Sequence, residues 1–98
     1  MIKTDDLCDI EVHYESTATV AEIRATILQS KLFEERADRP EGYFYPLNET
    51  PYFIKVSKPA KSINGVAAHV MVYGIDVSSA DIPKIIDITE KIIKFAEY

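Results

Sequence analysis

Residues 82–97 carry the clearest pattern of apolar and polar positions in the chain. At about 100° per residue, one half of a helical wheel is apolar and the other half is charged. The apolar half consists of Ile82, Ile85, Ile86, Ile88, Ile92, Ile93, Phe95 and Ala96. The pairs Asp87–Lys91 and Glu90–Lys94 place an acid four residues before a base, which supports a helix. Because β-branched isoleucine lowers helix propensity, this helix should form only by burying its apolar half against another part of the chain.

Residues 7–15 alternate between apolar and polar side chains, which predicts a strand with one buried and one solvated face. The apolar members are Cys8, Ile10, Val12 and Tyr14, and the polar members are Asp9, Glu11, His13 and Glu15. Further along, Thr19 and Glu22 have the spacing of a capping box, and residues 19–34 are predicted to form a helix. A strand over residues 20–27 is the alternative, because the apolar positions there fall on two arcs. Pro40 and Gly42 then break the segment.

Three more strands are predicted, over residues 43–47, 52–57 and 66–77. The dipeptide Asn64-Gly65 is the strongest hairpin signal in the chain, and pairing outward from it sets Val56 opposite Tyr73. One face of this hairpin would then hold Tyr52, Ile54, Val56, Met71, Tyr73, Ile75 and Val77. The reverse face would expose an apolar patch made of Phe53, Val66, Val70 and Val72.

These elements predict an α+β fold, a two-layer sandwich in the order β-α-β-β-β-α. About four mostly antiparallel strands would carry both helices on one face of the sheet. The 98 residues should form a single domain, 1–98, because a chain of this length supports one core. Many unrelated domains share this layout, so the fold does not determine the function.

The net charge of −5 is unevenly distributed, since residues 1–15 hold one Lys and five acids. An acidic surface binds the phosphate backbone poorly, so we expect no direct contact with nucleic acid. It suits docking on a basic protein, including one that itself handles nucleic acid. A single cysteine, Cys8, and the lack of an apolar leader or of a long apolar run predict a cytoplasmic protein that does not enter a membrane.

The sequence contains no motif for catalysis or for a cofactor. Asp9, Glu11 and His13 project from one strand face, but a straight row splays ligands that must converge on a metal ion. Cys8 alternates in phase with Ile10 and lies beside an acid, which disfavours a reactive thiolate. We therefore expect a protein that is not an enzyme and that binds no cofactor and no metal. A small metal-binding protein or enzyme that uses the Asp9/Glu11/His13 face is an alternative.

Two surfaces are candidates for binding. Tyr43, Tyr45 and Asn48 belong to an aromatic, turn-rich segment, which offers rigid contact area at low entropic cost. Together with Asp9, Glu11, His13 and Glu15, they form the predicted partner-binding surface. The apolar patch of Phe53, Val66, Val70 and Val72 is the predicted self-association surface, because exposed apolar patches mark interfaces and two-fold pairing is the simplest arrangement.

The favoured interpretation is a small acidic protein that acts through protein–protein contacts, as a homodimer, in the manner of an inhibitor, an immunity protein, an adaptor or a viral antagonist. The succession of a helix, an apolar strand, a loop, another strand and a helix is also similar in layout to phage tail-completion proteins. A structural assembly subunit, such as a phage head–tail component, is therefore a second interpretation. It predicts rings of several copies, whereas the first predicts a dimer.

Overall fold

The computed structural model describes residues 6–61 and 64–98. The elements are β1 Leu7–Ser16, α1 Val20–Gln29, β2 Phe33–Glu35, β3 Tyr43–Pro46, β4 Tyr52–Ser57, β5 Ala68–Ser78 and α2 Ile82–Ala96. The strands pair antiparallel in one sheet of order β1-β5-β4-β3-β2. Both helices contribute to a single core on one side of this sheet, so the predicted α+β sandwich is confirmed. Within the described residues, neither helix is long and apolar enough to cross a membrane.

Helix α2 buries the isoleucine half of its surface, as its sequence pattern predicts. Its buried residues are Ile85, Thr89, Ile92, Ile93 and Ala96. The polar Thr89 lies in the middle of this half, where its hydroxyl donates to the Ile85 carbonyl at 2.8 Å. Phe95, which the wheel places at the margin of the apolar half, is 71% exposed. The predicted helix is therefore correct in its position along the chain, while Phe95 is not part of the core.

Helix α1 begins at the predicted capping box but ends earlier than predicted. The Glu22 N–H donates to Thr19 Oγ1 at 3.1 Å, and the Thr19 N–H donates to Glu22 Oε1 at 3.0 Å. The hydrogen bond from the Thr19 N–H, and secondly that from the Thr19 side chain, lower the pKa of the Glu22 carboxyl. The helix ends at Gln29, because Lys31 takes a left-handed φ of 60° and turns the chain into β2. The predicted helix over 19–34 is thus too long, and the alternative strand over 20–27 does not form.

The pairing of β4 with β5 differs from the predicted register. Val56 lies opposite Val70, three residues away from Tyr73, the predicted partner. An odd shift turns every side chain of a strand to the other face. The strands end at Ser57 and begin again at Ala68, so Asn64-Gly65 lies inside a longer connection and does not set the register. Ile63, which the predicted tight hairpin used, lies outside the described residues.

The corrected register moves the predicted self-association residues. Val70 and Val72 are each 1% exposed, in the core beneath the helices. Val66 precedes β5 in the connection, and only Phe53 lies on the uncovered side of the sheet. The predicted position of this patch on the outer side is therefore wrong, because the valines of β5 belong to the helix-covered side.

A β-bulge explains why Val77 is nevertheless buried. The pairing of β1 with β5 shifts between Cys8 and Ile10, and Asp76 in the bulge takes a left-handed φ of 54°. The extra residue in β5 leaves Ile75 51% exposed and returns Val77 to the core at 0% exposure. Without this change of phase, Val77 would point away from the helices.

The substitutions Val70→Asp and Met71→Asp test the register directly. Val70→Asp should abolish folding or cost several kcal/mol, because it buries an unpaired charge in the core (about 3–5 kcal/mol for an uncompensated buried charge). Met71→Asp should leave a cooperative unfolding transition, since Met71 is on the opposite face. Urea denaturation followed by circular dichroism measures both free energies of unfolding. Equal losses, or a larger loss for Met71→Asp, would contradict the register.

Tyr52 should make the stability of the fold fall at alkaline pH. Its ring packs edge-on against Phe33 with centroids 6.2 Å apart, and burial raises the pKa of Tyr52 from 10.0 to about 12. Between pH 10 and pH 12 the unfolded chain therefore loses this proton before the native state does, so stability falls as pH rises. Tyr52→Phe should flatten that fall in urea midpoints, whereas Tyr98→Phe, at a residue 97% exposed, should not. Identical slopes for wild type and Tyr52→Phe would refute the assignment.

Candidate binding surface

The side of the sheet that faces away from the helices is called the open face below. No helix or strand within residues 6–61 and 64–98 packs against it. Its side chains alternate along each strand with the buried ones, and they are half-buried or exposed. They are Glu11, His13 and Glu15 of β1, His69, Met71 and Tyr73 of β5, Phe53, Lys55 and Ser57 of β4, Tyr43 and Tyr45 of β3, and Glu34 of β2.

Four rings in contact, Tyr43, Tyr45, Phe53 and Tyr73, form the aromatic cluster of the open face. Phe53 is at its centre, with ring centroids 5.2 Å from Tyr43, 5.9 Å from Tyr45 and 5.5 Å from Tyr73. Tilted rings at these separations attract one another beyond the effect of area burial. Since the four residues come from three neighbouring strands, the backbone ladder holds the cluster in position.

Cationic side chains lie over the tyrosine rings on the β2–β3 side of the open face. The Arg36 Cζ atom is 4.7 Å from the centroid of the Tyr45 ring, and that of Arg39 is 5.8 Å from it. The Lys55 Nζ atom is 5.4 Å from the Tyr43 ring. Such contacts are favourable because the face of an aromatic ring is electron-rich. Arg36 is also ion-paired with Glu34 of β2, with Nε 3.1 Å from Oε1, so the positive charge of this side is partly compensated.

The opposite side of the open face, on β1 and β5, is acidic and includes both histidines. His13 Nε2 lies 2.8 Å from Glu11 Oε2, and His13 Nδ1 lies 2.8 Å from His69 Nε2. A neutral His13 that donates to the carboxylate must accept at Nδ1, so His69 is the donor in the second contact. This chain of hydrogen bonds fixes the orientation of Glu11, while Glu15 is opposite His69 in the ladder.

A recess of about 380 Å³ opens at one end of the aromatic cluster. Tyr45, Phe53 and Tyr73 line it, together with Arg36 and the exposed Ile75 of the bulge. The recess combines apolar rings, an aliphatic side chain and a guanidinium group. Its lining could accept an apolar side chain that carries a polar end.

Five of the seven predicted partner-binding residues share the open face: Tyr43, Tyr45, Glu11, His13 and Glu15. Asp9 belongs instead to the bulge, where its Oδ1 accepts from the Asp76 N–H at 3.2 Å. Asn48 shapes the turn before β4, because its Oδ1 accepts from the Thr50 N–H at 3.1 Å and from Thr50 Oγ1 at 2.7 Å. Both of these side chains make contacts that stabilise the backbone.

Sequence reasoning does not place Tyr73, Met71 or Arg36 on this surface. The predicted register puts Tyr73 and Met71 on the same face as Tyr52 and Val56, which are buried. A signal did exist in the alternation of β5, whose buried positions are Ala68, Val70 and Val72. Small and β-branched residues pack well in the middle of a sheet beneath helices. His69, which alternates with them and faces the other side of the sheet, is polar.

Within the described residues, no group of three or more His, Cys, Asp or Glu side chains could hold a metal ion. Glu11 and His13 of the alternative metal hypothesis are joined to each other by a hydrogen bond, and Asp9 contacts the bulge. Cys8 is half-buried and carries no disulfide. Comparisons with known proteins supply no function either, since no family model, no curated protein and no solved structure matches this chain.

Proposed function

We propose that this chain is a binding protein without catalysis that docks on another protein through its open face. The observation that carries the proposal is the aromatic cluster on a sheet face that no described helix or strand covers. A solvated face of an antiparallel sheet is normally polar, and a large exposed apolar patch marks an interaction site. An inhibitor, an immunity protein or an adaptor, acting in the cytoplasm, is the type of protein that we propose.

The composition of the open face favours a protein partner. Tyrosine, phenylalanine, methionine and arginine are enriched in the centres of protein–protein interfaces. The rings are already held by their neighbours on adjacent strands, so little side-chain entropy remains to be lost on binding. The net charge of −5 and the glutamates of β1 oppose the approach of a phosphate backbone. A partner with apolar side chains at the centre of its surface, basic ones facing β1 and acidic ones facing Arg36 and Arg39 complements this face.

The sequence predicts separate surfaces for partner binding and self-association, but in the observed register Phe53 of the second surface lies on the same face as the first. Phe53, the one predicted self-association residue on the open face, is in contact with the predicted partner-binding residues Tyr43 and Tyr45. A dimer formed through the open face would therefore compete with the partner. This relation makes the oligomeric state part of the function.

Self-association through the open face is our second candidate, and the distribution of charge supports it. Arg36 and Arg39 are on one side of the aromatic cluster, Glu11 and Glu15 are on the other, and Lys55 of the central strand β4 lies between them. Two copies packed face to face about a two-fold axis parallel to the strands would set the acidic side of each against the basic side of the other. Such an isologous interface closes as a dimer.

A ring-forming assembly subunit needs a second, different surface, because an isologous interface alone closes as a dimer. The groove between α1 and α2 is available for this purpose. It is lined by Leu32, Ile88 and Phe95, of which Leu32 is 50% and Phe95 71% exposed. An assembly that uses both surfaces would contain more than two copies.

Tyr45→Ala should weaken capture of the partner by roughly tenfold or more, the usual effect of truncating an aromatic anchor. Because Tyr45 is half-buried at the edge of the cluster, the melting temperature should change by only a few degrees. Proteins captured from an extract of the native host by immobilised wild type are identified by mass spectrometry. The affinity of the purified partner is then measured by calorimetry.

Lys84→Ala is the matched control for Tyr45→Ala, since Lys84 is exposed on α2, away from the open face. It should bind the partner as tightly as wild type does. Undiminished binding by Tyr45→Ala, or equal losses for both variants, would rule out docking through the aromatic cluster. A large loss of stability in Tyr45→Ala would assign this residue to the core instead.

Arg39→Glu should weaken a dimer formed through the open face, because it removes a basic group on the side that faces the acids of the second copy. Sedimentation equilibrium over a range of concentrations should give a dimer for wild type and a dissociation constant several-fold higher for Arg39→Glu (roughly 1 kcal/mol for one exposed charge pair). Lys84→Glu on α2 has the same change of charge and should leave the dimer intact. A monomeric wild type at all concentrations would end the second candidate and leave the first standing.

A further inference from the structure

The edge of the sheet formed by β1 presents a long row of backbone groups with no described strand beside it. β1 contains 10 residues and pairs only with β5 among the described strands. In an antiparallel ladder, successive residues direct their N–H and C=O groups to opposite sides. About half of the backbone groups of β1 therefore point away from the sheet, where another chain can pair with them.

β1 is held firmly in place by the helix layer. Ser16 Oγ donates to Glu97 Oε2 of the α2 C-terminus at 2.7 Å, and the Thr17 N–H donates to the same oxygen at 3.3 Å. Ile10 and Val12 pack against the core from the other end of the strand. An edge that is already ordered loses little conformational entropy when a further strand is added.

The charges of β1 select what can pair with it. Glu11 and Glu15 project on the open face next to the free edge, and His13 lies between them. Directly opposed like charges destabilise a strand pair, whereas opposite charges stabilise it. A strand with lysine or arginine at alternate positions would oppose its cations to these glutamates.

A second copy of the chain fits this edge poorly. In a two-fold antiparallel pairing of β1 with itself, the two registers that pair most of the strand put Glu11 against Glu11, or Asp9 against Glu15. Each of these registers opposes two carboxylates across the new ladder. The opposed acids therefore disfavour self-pairing at this edge and leave it open to a strand of opposite charge.

We infer that β1 receives an extended segment of a partner protein, with lysine or arginine at alternate positions, as an added strand of the sheet. The inference rests on the proposed function, because the added strand extends the open face beside its acidic side and belongs to the same docking partner. Main-chain hydrogen bonds would supply affinity, and the glutamates would supply selectivity.

A short capped peptide that alternates lysine and threonine is the probe for this site. Its control is the same peptide N-methylated along its backbone, which keeps the charge but cannot donate in a ladder. Binding to wild type is measured by NMR titration, and protection of the β1 amides by hydrogen exchange. The unmodified peptide should bind several-fold more tightly than its control and should slow exchange along β1.

Glu11→Gln with Glu15→Gln should weaken binding of the unmodified peptide by roughly three- to tenfold, the effect of losing two exposed ion pairs. Glu34→Gln, which changes an acid at the far side of the open face, should leave that binding unchanged. Equal binding of the peptide and its methylated control, or protection of amides outside β1, would refute the added strand.

Tyr45→Ala separates this inference from the proposed function, because it affects the aromatic cluster and leaves β1 untouched. The peptide should bind Tyr45→Ala as it binds wild type. If the peptide fails to bind wild type while capture of the host partner still depends on Tyr45, only the added strand is refuted. If the peptide binds along β1 while Tyr45→Ala captures the partner undiminished, only docking through the aromatic cluster is refuted.

Discussion

Burial of one face of the sheet beneath two helices is the constraint on which the structure depends. The helices are rich in β-branched residues, and such residues disfavour an isolated helix. Ile23 and Ile27 of α1 and Ile85 and Ile92 of α2 are buried in one core with the strands. Each buried isoleucine contributes about 1.5–3 kcal/mol. Neither the helices nor the covered face of the sheet would be stable in water without the other.

This constraint also fixes the details of β5. Gly74 lies opposite Tyr52 in the ladder, and a Cβ atom at position 74 would be 2.6 Å from Val77 Cγ2 and 3.0 Å from Tyr52 Cβ. The absence of a side chain there lets Tyr52 and Val77 fill the end of the core. The left-handed residue Asp76 then changes the phase of the strand. β5 has apolar residues on both of its faces, whereas the core lies on only one side of the sheet. Gly74 and the bulge at Asp76 allow residues from both faces of β5 to be buried in that core.

The consequence for function is that the aromatic side chains of β3, β4 and β5 that are left out of the core collect on the opposite side of the sheet. Phe53 and Tyr73 are excluded from the core by the same register that buries Val70, and they meet the tyrosines of β3. The basic groups beside β3 and the acids of β1 then give this surface two differently charged sides. A surface of this kind favours a partner in one orientation, and the uncovered edge of β1 continues it.

The sequence by itself determined the features that depend on local periodicity. Each of these features is set within one segment and does not depend on which surface the segment packs against. They are the alternation in residues 7–15, the capping box at Thr19 and the apolar half of α2. Alternation along a strand also assigns Tyr45 and its neighbour Phe44 to opposite faces. Phe44 is 0% exposed, while Tyr45 lies on the open face.

The tertiary structure alone decided the register of β5, the early end of α1 and therefore the composition of the open face. β5 has apolar residues on both phases, such as Val70 and Met71, so its own pattern cannot choose which phase is covered. The choice is made by pairing with β4 and β1, whose partners are distant in sequence. α1 ends at Gln29, the chain turns at the left-handed Lys31, and Phe33 joins the core from β2. Such contacts between distant segments are absent from any local window of the sequence.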